Sequence, residues 1–161
     1  MPRHLVESGL HSWLSESMPD IVAIAADHGG YELKTALLPE LKALGFEVLD
    51  LGTNSTDSVD YPTFANAVAD ALGSGRAQRG VLICGTGIGM SIAANRHRHI
   101  RCGLAHDVTT AQLARQHNDA NVLALGARVL GIETAKACLR TFFSTDFEGG
   151  GRHARRVALI S

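Results

Sequence analysis

Cys84 ends an apolar run, Val81-Leu82-Ile83, and three alternating glycines follow it, Gly85, Gly87 and Gly89, with Thr86 between the first two and Ile88 between the last. The chemistry open to such a stretch follows from its residue types. Alternating glycines let the backbone turn tightly at positive φ. Their N–H groups can then converge on an anion at the start of the helix-forming stretch 90–94. A thiol at the rim of such a hole can act as nucleophile or as general base. Each backbone donor aimed at a developing oxyanion is worth about 10²–10³ in rate.

Three common uses of a glycine loop fail at single positions. The dinucleotide fingerprint needs GxGxxG and an acidic residue closing the next strand, whereas this loop is GxGxG followed by Met90. A Walker A loop needs Gly-Lys-Ser/Thr after four intervening residues, and none is present. A cysteine phosphatase of the C-x5-R type needs arginine where Met90 stands. An anion hole beside a thiol and a hydroxyl survives. So does the plainer reading, a tight strand-to-helix turn whose cysteine only packs.

Further candidates lie downstream. Arg152 and Arg156 are four residues apart, hence on one face if that stretch is helical, with Arg155 pointing away. Preceded by the flexible run Gly149-Gly150-Gly151, they form either a clamp for phosphate or carboxylate or a solvated basic tail. His117 and Asn118 close a helical stretch, where a histidine can equally serve as a partner for the helix dipole. His4, His11, His97 and His99 are expected at the surface, and Cys102 and Cys138 in the core.

The elements that must position these groups are legible from periodicity. Apolar runs at 21–26, 46–51, 80–84, 100–105 and 121–125 read as strands. Between them, apolar residues at helical spacing mark helices over 31–44, after Tyr61-Pro62 with Phe64, Val68 and Leu72 on one face, from the glycine loop to about His97, over 108–117 and over 131–143. Pro39 is expected to kink or shorten the first of these. Strands alternating with helices predict an α/β fold, a three-layer αβα sandwich with a Rossmann-like, doubly wound parallel sheet of about five strands. Ligands of such sheets sit beyond the carboxyl ends of the strands. Asp27 and His28, the Cys84 loop, and His106 with Asp107 should therefore share one edge.

Composition narrows the class. With 161 residues, 45% of them hydrophobic, and a net charge of −1, the chain can bury a core and lacks the positive charge of a nucleic-acid binder. No apolar run reaches the roughly 18 residues of a membrane span, and the apolar character of the first residues is interrupted at Glu7, Ser8, Gly9, His11 and Ser12. Three cysteines without a CxxC pair make neither a disulfide framework nor a zinc knuckle. The expectation is a reduced, cytoplasmic, soluble protein. Residues 1–20 are expected to be an N-terminal extension and 21–161 a single domain.

Several stretches together resemble the ribose-5-phosphate isomerase type B family, within the group that also holds the galactose-6-phosphate isomerase subunits. They are Ala26-Asp27-His28-Gly29-Gly30, Asp60-Tyr61-Pro62, the run from Cys84 to Asn95, the run from Arg115 to Leu123, Gly126-Ala127-Arg128 and Glu148-Gly149-Gly150. The resemblance implies a metal-free interconversion of ribose 5-phosphate and ribulose 5-phosphate through an enediolate. It makes Cys84 the base that moves a proton between C2 and C1. Thr86 would assist exchange between the oxygens, and the loop from Gly85 to Gly89 would hold the enediolate charge. His117 would open the sugar ring, with Asp27 nearby. His28, Arg128, Arg152 and Arg156 would bind phosphate, and Tyr61 and Asn118 the substrate hydroxyls. It further implies a homodimer, or a dimer of dimers, in which His117 serves the partner's Cys84.

Two departures bear on those roles. Some relatives carry a carboxylate base at the position of Met90, and methionine takes no proton, so the thiol route is the one open here. Three glycines precede Arg152 where two are usual, which bears on the register of the arginine pair. Isomerisation of another sugar phosphate (a six-carbon or four-carbon one) and a non-catalytic module that binds a phosphorylated sugar stay open at this point.

Overall fold

A computed structural model describes residues 20–161, so the expected N-terminal extension, with His4 and His11, lies outside the described residues apart from Asp20. Five strands, β1 (Ile21–Ala26), β2 (Glu47–Asp50), β3 (Arg79–Cys84), β4 (Cys102–Leu104) and β5 (Val122–Gly126), form one sheet in the order β2-β1-β3-β5-β4. Every pairing is parallel. Six helices accompany them among the described residues: α1 (Tyr31–Ala43), α2 (Tyr61–Gly73), α3 (Ile88–Ala94), α4 (Val108–Asn118), α5 (Ile132–Ser144) and α6 (Gly151–Ile160). The α/β sandwich expected from the sequence is what the chain forms.

Alternation along the strands builds the two cores. Val22, Ile24, Val81, Ile83, Leu123 and Leu125 face α1, α4 and α5. Ala23, Ala25, Leu82, Cys84 and Val122 face α2 and α3. The second face uses small residues, so its helices lie close to the sheet. A Cβ on Gly80 would stand 2.6 Å from Val68 Cγ1, and glycine is what admits that helix. The right-handed crossover rule and the strand order put α1 and α2 on opposite faces, and so open a crevice between the carboxyl ends of β1 and β3.

Several local expectations are corrected. α1 runs unbroken through Pro39. Pro39 and Thr35, the residue one turn before it, both lie on the exposed side, where water can replace the lost backbone bond. α3 ends at Ala94 rather than near His97, because the Asn95 side chain both accepts from Cys102 N (2.7 Å) and donates to Cys102 O (3.0 Å). That pairing starts β4, which spans 102–104 instead of 100–105. Cys138 is fully buried, but Cys102 is only half-buried because β4 is a short edge strand. His99 is exposed as expected and His97 is half-buried, and both tether the chain to α2 through Ala69 O (2.7 Å) and Asn66 (2.8 Å) respectively.

Lys34 is the largest fully buried side chain, 1% exposed, and its Nζ lies 2.7 Å from Asp50 Oδ1. Asp50 also accepts from Gly52 N at 3.0 Å, so one carboxylate ties α1 to the end of β2. Asp50→Asn leaves the ammonium buried without its anion. The expected cost is about 2–3 kcal/mol, below the range of roughly 3–5 kcal/mol for a fully enclosed pair because Asp50 is 35% exposed. In a chain of this size the thermal midpoint should fall by about 5–10 °C. Calorimetry checks it, and an unchanged midpoint would remove the pair from the account of stability.

Candidate active site

Sheet topology gathers one group of side chains at the carboxyl ends of β1, β3 and β5. Asp27 N donates to Ile83 O at 3.1 Å, which holds the end of β1 against β3. The buried Asp27 carboxylate accepts from Gly30 N at 3.1 Å and so closes the turn into α1. His28 Nδ1 accepts the Val59 N–H at 3.2 Å. That bond leaves Nε2–H as the ring's free donor, suited to an anion.

Cys84 is 5% exposed, and its Sγ accepts the Gly87 N–H at 3.1 Å, which fixes the direction of the thiol. Gly87 has φ 79°, and a Cβ there would stand 2.6 Å from Leu104 Cδ1. Only glycine satisfies both conditions. Thr86 is exposed and its Oγ1 accepts from Ile88 N at 3.2 Å. Across the loop, Gly126 lets β5 approach, since a Cβ on it would sit 2.5 Å from Thr86 O. Arg128 donates its N–H to Gly85 O at 2.9 Å and lays its side chain beside Gly85. The Tyr61 ring lies against Gly89, where a Cβ would come within 2.7 Å of it. Met90, the position that excluded other chemistries, is fully buried in the core facing α2 and offers nothing to a ligand.

His106 and Asp107 follow β4 at this same edge, but Asp107 is a helix cap. It accepts from Thr110 N at 2.7 Å, and the hydrogen bonds from Thr110 hold its carboxyl below the usual carboxylate range.

The second group lies elsewhere. A helix that follows a parallel strand carries the chain back, so the last turn of α4 sits at the amino ends of the strands. Asp119, its left-handed C-cap (φ 46°), accepts from Arg101 at the start of β4 through its main-chain oxygen (2.9 Å) and its carboxylate (3.3 Å). Arg115 binds the same carboxylate at 2.9 Å and also Ala120 O and Thr145 O. This frame fixes His117 and Asn118. The segment before α6 docks there too, with Glu148 N donating to Gln116 O at 3.0 Å. The His153 ring stacks on that of His117, centroids 4.2 Å apart and planes within 7°. Burial, with the charges of His117 and Arg152, holds His153 below the ordinary histidine value. Arg152 and Arg156 are exposed on α6, one turn apart.

In a single chain, then, Asp27, His28, Tyr61, Cys84, Gly85, Thr86, Gly87, Ile88, Gly89 and Arg128 share one edge of the sheet. His117, Asn118, Arg152 and Arg156 share the other. The edges are about 16 Å apart along β3, six residues at about 3.3 Å per step. Sequence reasoning missed the frame of Arg101, Arg115 and Asp119, and the place of His153 and Glu148 beside His117. The i,i+4 spacing of Arg115 and Asp119 was the available signal for the first. Nothing local signalled the second.

Comparison with known proteins gives the class, the sugar-phosphate isomerases of α/β fold. The model of the Ribose/Galactose Isomerase family matches residues 22–160. The chain belongs to that family and is an isomerase. It is 46% identical to ribose-5-phosphate isomerase B of Escherichia coli K12 over 140 residues, 87% of this chain and 93% of the relative. It is 44% identical to D-erythrulose-4-phosphate isomerase of Pectobacterium atrosepticum, covering 81% of this chain and 86% of that one. The solved structure of Clostridium thermocellum ribose-5-phosphate isomerase B superposes with a TM-score of 0.85 at 48% identity, covering 87% and 94% of the two chains.

The other two cysteines should be chemically silent. Although Cys102 as a whole residue is half-buried, enclosure of its thiol pushes it up to about 12, and burial raises Cys138 as well. A raised thiol pKa means the neutral form dominates below it, so at pH 7.5 the Cys102 thiolate fraction is on the order of 10⁻⁴ or less. Brief iodoacetamide treatment of the folded protein at that pH should leave Cys102 and Cys138 unmodified in a peptide mass map, and urea should expose both. Labelling of Cys102 at the rate of a free thiol would contradict this.

Proposed function

We propose that this isomerase interconverts D-ribose 5-phosphate and D-ribulose 5-phosphate without a metal or other cofactor, using residues 21–161 as one functional unit in the cytoplasm. The observation that carries the reading is the Cys84 thiol, fixed by the Gly87 N–H inside a loop of backbone donors at the switch-point crevice. Abstraction of a proton α to a carbonyl needs a positioned base and a preorganised site for the developing oxyanion, and this loop supplies both.

The steps balance as proton transfers alone. His117 takes the proton from the anomeric hydroxyl and delivers it to the ring oxygen as the bond from C1 to that oxygen breaks, which opens the furanose to the C1 aldehyde. Asp27 supports the substrate at this stage. Cys84 takes the C2 proton, and the electrons form the C1–C2 double bond of an enediolate whose charge rests on the N–H groups of the loop from Gly85 to Gly89. Thr86 relays a proton between O1 and O2, and Cys84 returns its proton to C1. His28, Arg128, Arg152 and Arg156 hold the phosphate, and Tyr61 and Asn118 the hydroxyls. Phosphate binding, remote from C1 and C2, positions the reacting carbons.

This mechanism needs the two edges of the sheet to meet at one substrate, which one chain does not do. A homodimer, alone or paired into a tetramer, supplies both, the Cys84 edge of one copy facing the His117 edge of the other. The exposed apolar side chains beside the loop, Ile88 (51%), Ile92 (57%) and Tyr61 (40%), support an interface there. A second reading is favoured by one relative's name: a four-carbon sugar phosphate is the substrate instead.

Two measurements test the reading. A panel of sugar phosphates ranked by kcat/KM should place ribose 5-phosphate first, and a tetrose phosphate in first place would decide for the second reading. Cys84→Ala and His117→Asn should each lose roughly 10³-fold in kcat, as removal of a base or acid does. Mixed and reassociated, the two inactive variants should recover about a quarter of wild-type activity, since half the dimers are mixed and each has one intact site. No recovery would place the site within one chain.

A further inference from the structure

Around His117 the structure assembles two side chains, Glu148 and His153, that the proposed isomerisation does not use. His117, Glu148 and His153 each present a ligand atom, and these atoms all lie within 4.8 Å of one another. We propose that the three side chains form a reversible site for a zinc-like divalent cation, and that its occupation withdraws His117 from catalysis. The second clause rests on the role proposed for His117, whereas the first does not.

The donor set is chemically specific. Two imidazoles and one carboxylate, with a position left for water, is a zinc donor set. Bonds of about 2.0–2.2 Å in tetrahedral geometry need ligand atoms about 3.4 Å apart, so with all of them within 4.8 Å no gap has to close by more than about 1.4 Å. The structure can supply that movement. Glu148 has its side chain 56% exposed, with its Oε2 3.8 Å from His153 Nε2, while its backbone is anchored to Gln116 O. The two rings, now stacked, must tilt apart so that their lone pairs converge. Ring tilt and a carboxylate swing are side-chain rotations and leave α4 and α6 in place.

The surroundings select among metals. Arg152 and Arg156 stand close enough to His153 to repel positive charge there. Hard cations such as Mg²⁺ and Ca²⁺, which want several oxygen ligands, would not overcome that repulsion with a single carboxylate. Zn²⁺, Ni²⁺ and Cu²⁺ gain enough from two imidazoles to do so. A metal bound this way takes a nitrogen of the ring on which the proposed ring-opening step depends. The site is therefore inhibitory, and it is not a cofactor site.

The experiment uses the full chain, freed of metal with EDTA and dialysed. Calorimetric titration with Zn²⁺ should show one site per chain, present also in Cys84→Ala, which removes the competing thiol. His153→Gln and Glu148→Gln should each weaken that binding at least tenfold. Ribose 5-phosphate turnover should fall at least tenfold as the site fills and return with EDTA. Glu148→Gln should keep its metal-free turnover and lose the sensitivity to zinc. Zinc affinity unchanged in both ligand variants, or lost in Cys84→Ala, would overturn the site. Tight binding at the cluster with turnover unaffected would overturn the withdrawal of His117. Absence of ribose 5-phosphate turnover without zinc would count against the isomerase reading and leave the calorimetric arms to decide the metal site.

Discussion

The direction of the parallel sheet is the constraint on which everything else here depends. Each helix between parallel strands must carry the chain back to the edge where the strands begin. A residue at the end of a strand and a residue at the end of the following helix are thereby forced to opposite edges. Cys84 ends β3 and His117 ends α4, so no adjustment of loops within one chain brings them to one substrate. The proposed dimer is thus the geometric complement of the fold. Two copies can place opposite edges side by side, which a single parallel sheet cannot.

Within the carboxyl edge the limiting quantity is room. The loop can carry the thiol because three surrounding positions have no side chain. Gly87 accepts a positive φ against Leu104, Gly126 lets β5 pass next to Thr86 O, and Gly89 lies under the Tyr61 ring. The result is a turn whose path is set by packing, with the Gly87 N–H on Cys84 Sγ and the Ile88 N–H on Thr86 Oγ1 in place before any ligand arrives. That is the condition for electrostatic preorganisation. At the other edge the limiting quantity is charge. Asp119 is held between Arg101 and Arg115, and this pinned helix end is the platform on which His117, Glu148 and His153 meet.

The fold and the first half of the site were legible because they depend on local periodicity. Apolar runs of strand length, helical spacing and the rule that ligands gather beyond strand ends are enough to put Asp27, His28 and Cys84 at one edge. What stayed hidden depends on contacts distant in sequence. The stack of His153 on His117 forms only because the segment after α5 returns to α4, and no spacing announces it. Lys34 looks like a surface residue of α1, yet Asp50 on another element draws it inside. Pro39 misled for the opposite reason, since its local penalty is real but falls on the solvent side of the helix. Cys102 misled because strand membership does not imply burial on an edge strand three residues long.

The additional glycine before the arginine pair can now be placed physically. A Cβ at Gly150 or Gly151 would meet nothing within 4 Å, so glycine is not there to make space. Gly151 has φ 61°, and Gly150 before it is extended, with φ −120° and ψ 161°. The chain therefore changes direction at Gly151 through the left-handed region, which a side chain resists and glycine does not. A residue inserted at such a hinge is absorbed by the turn and does not shift the helix that follows. α6 begins at Gly151 whatever the length of the approach, and the four-residue step from Arg152 to Arg156 is internal to it. The spacing of the two guanidinium groups is thus set by the helix, and the hinge sets only the direction in which α6 leaves it.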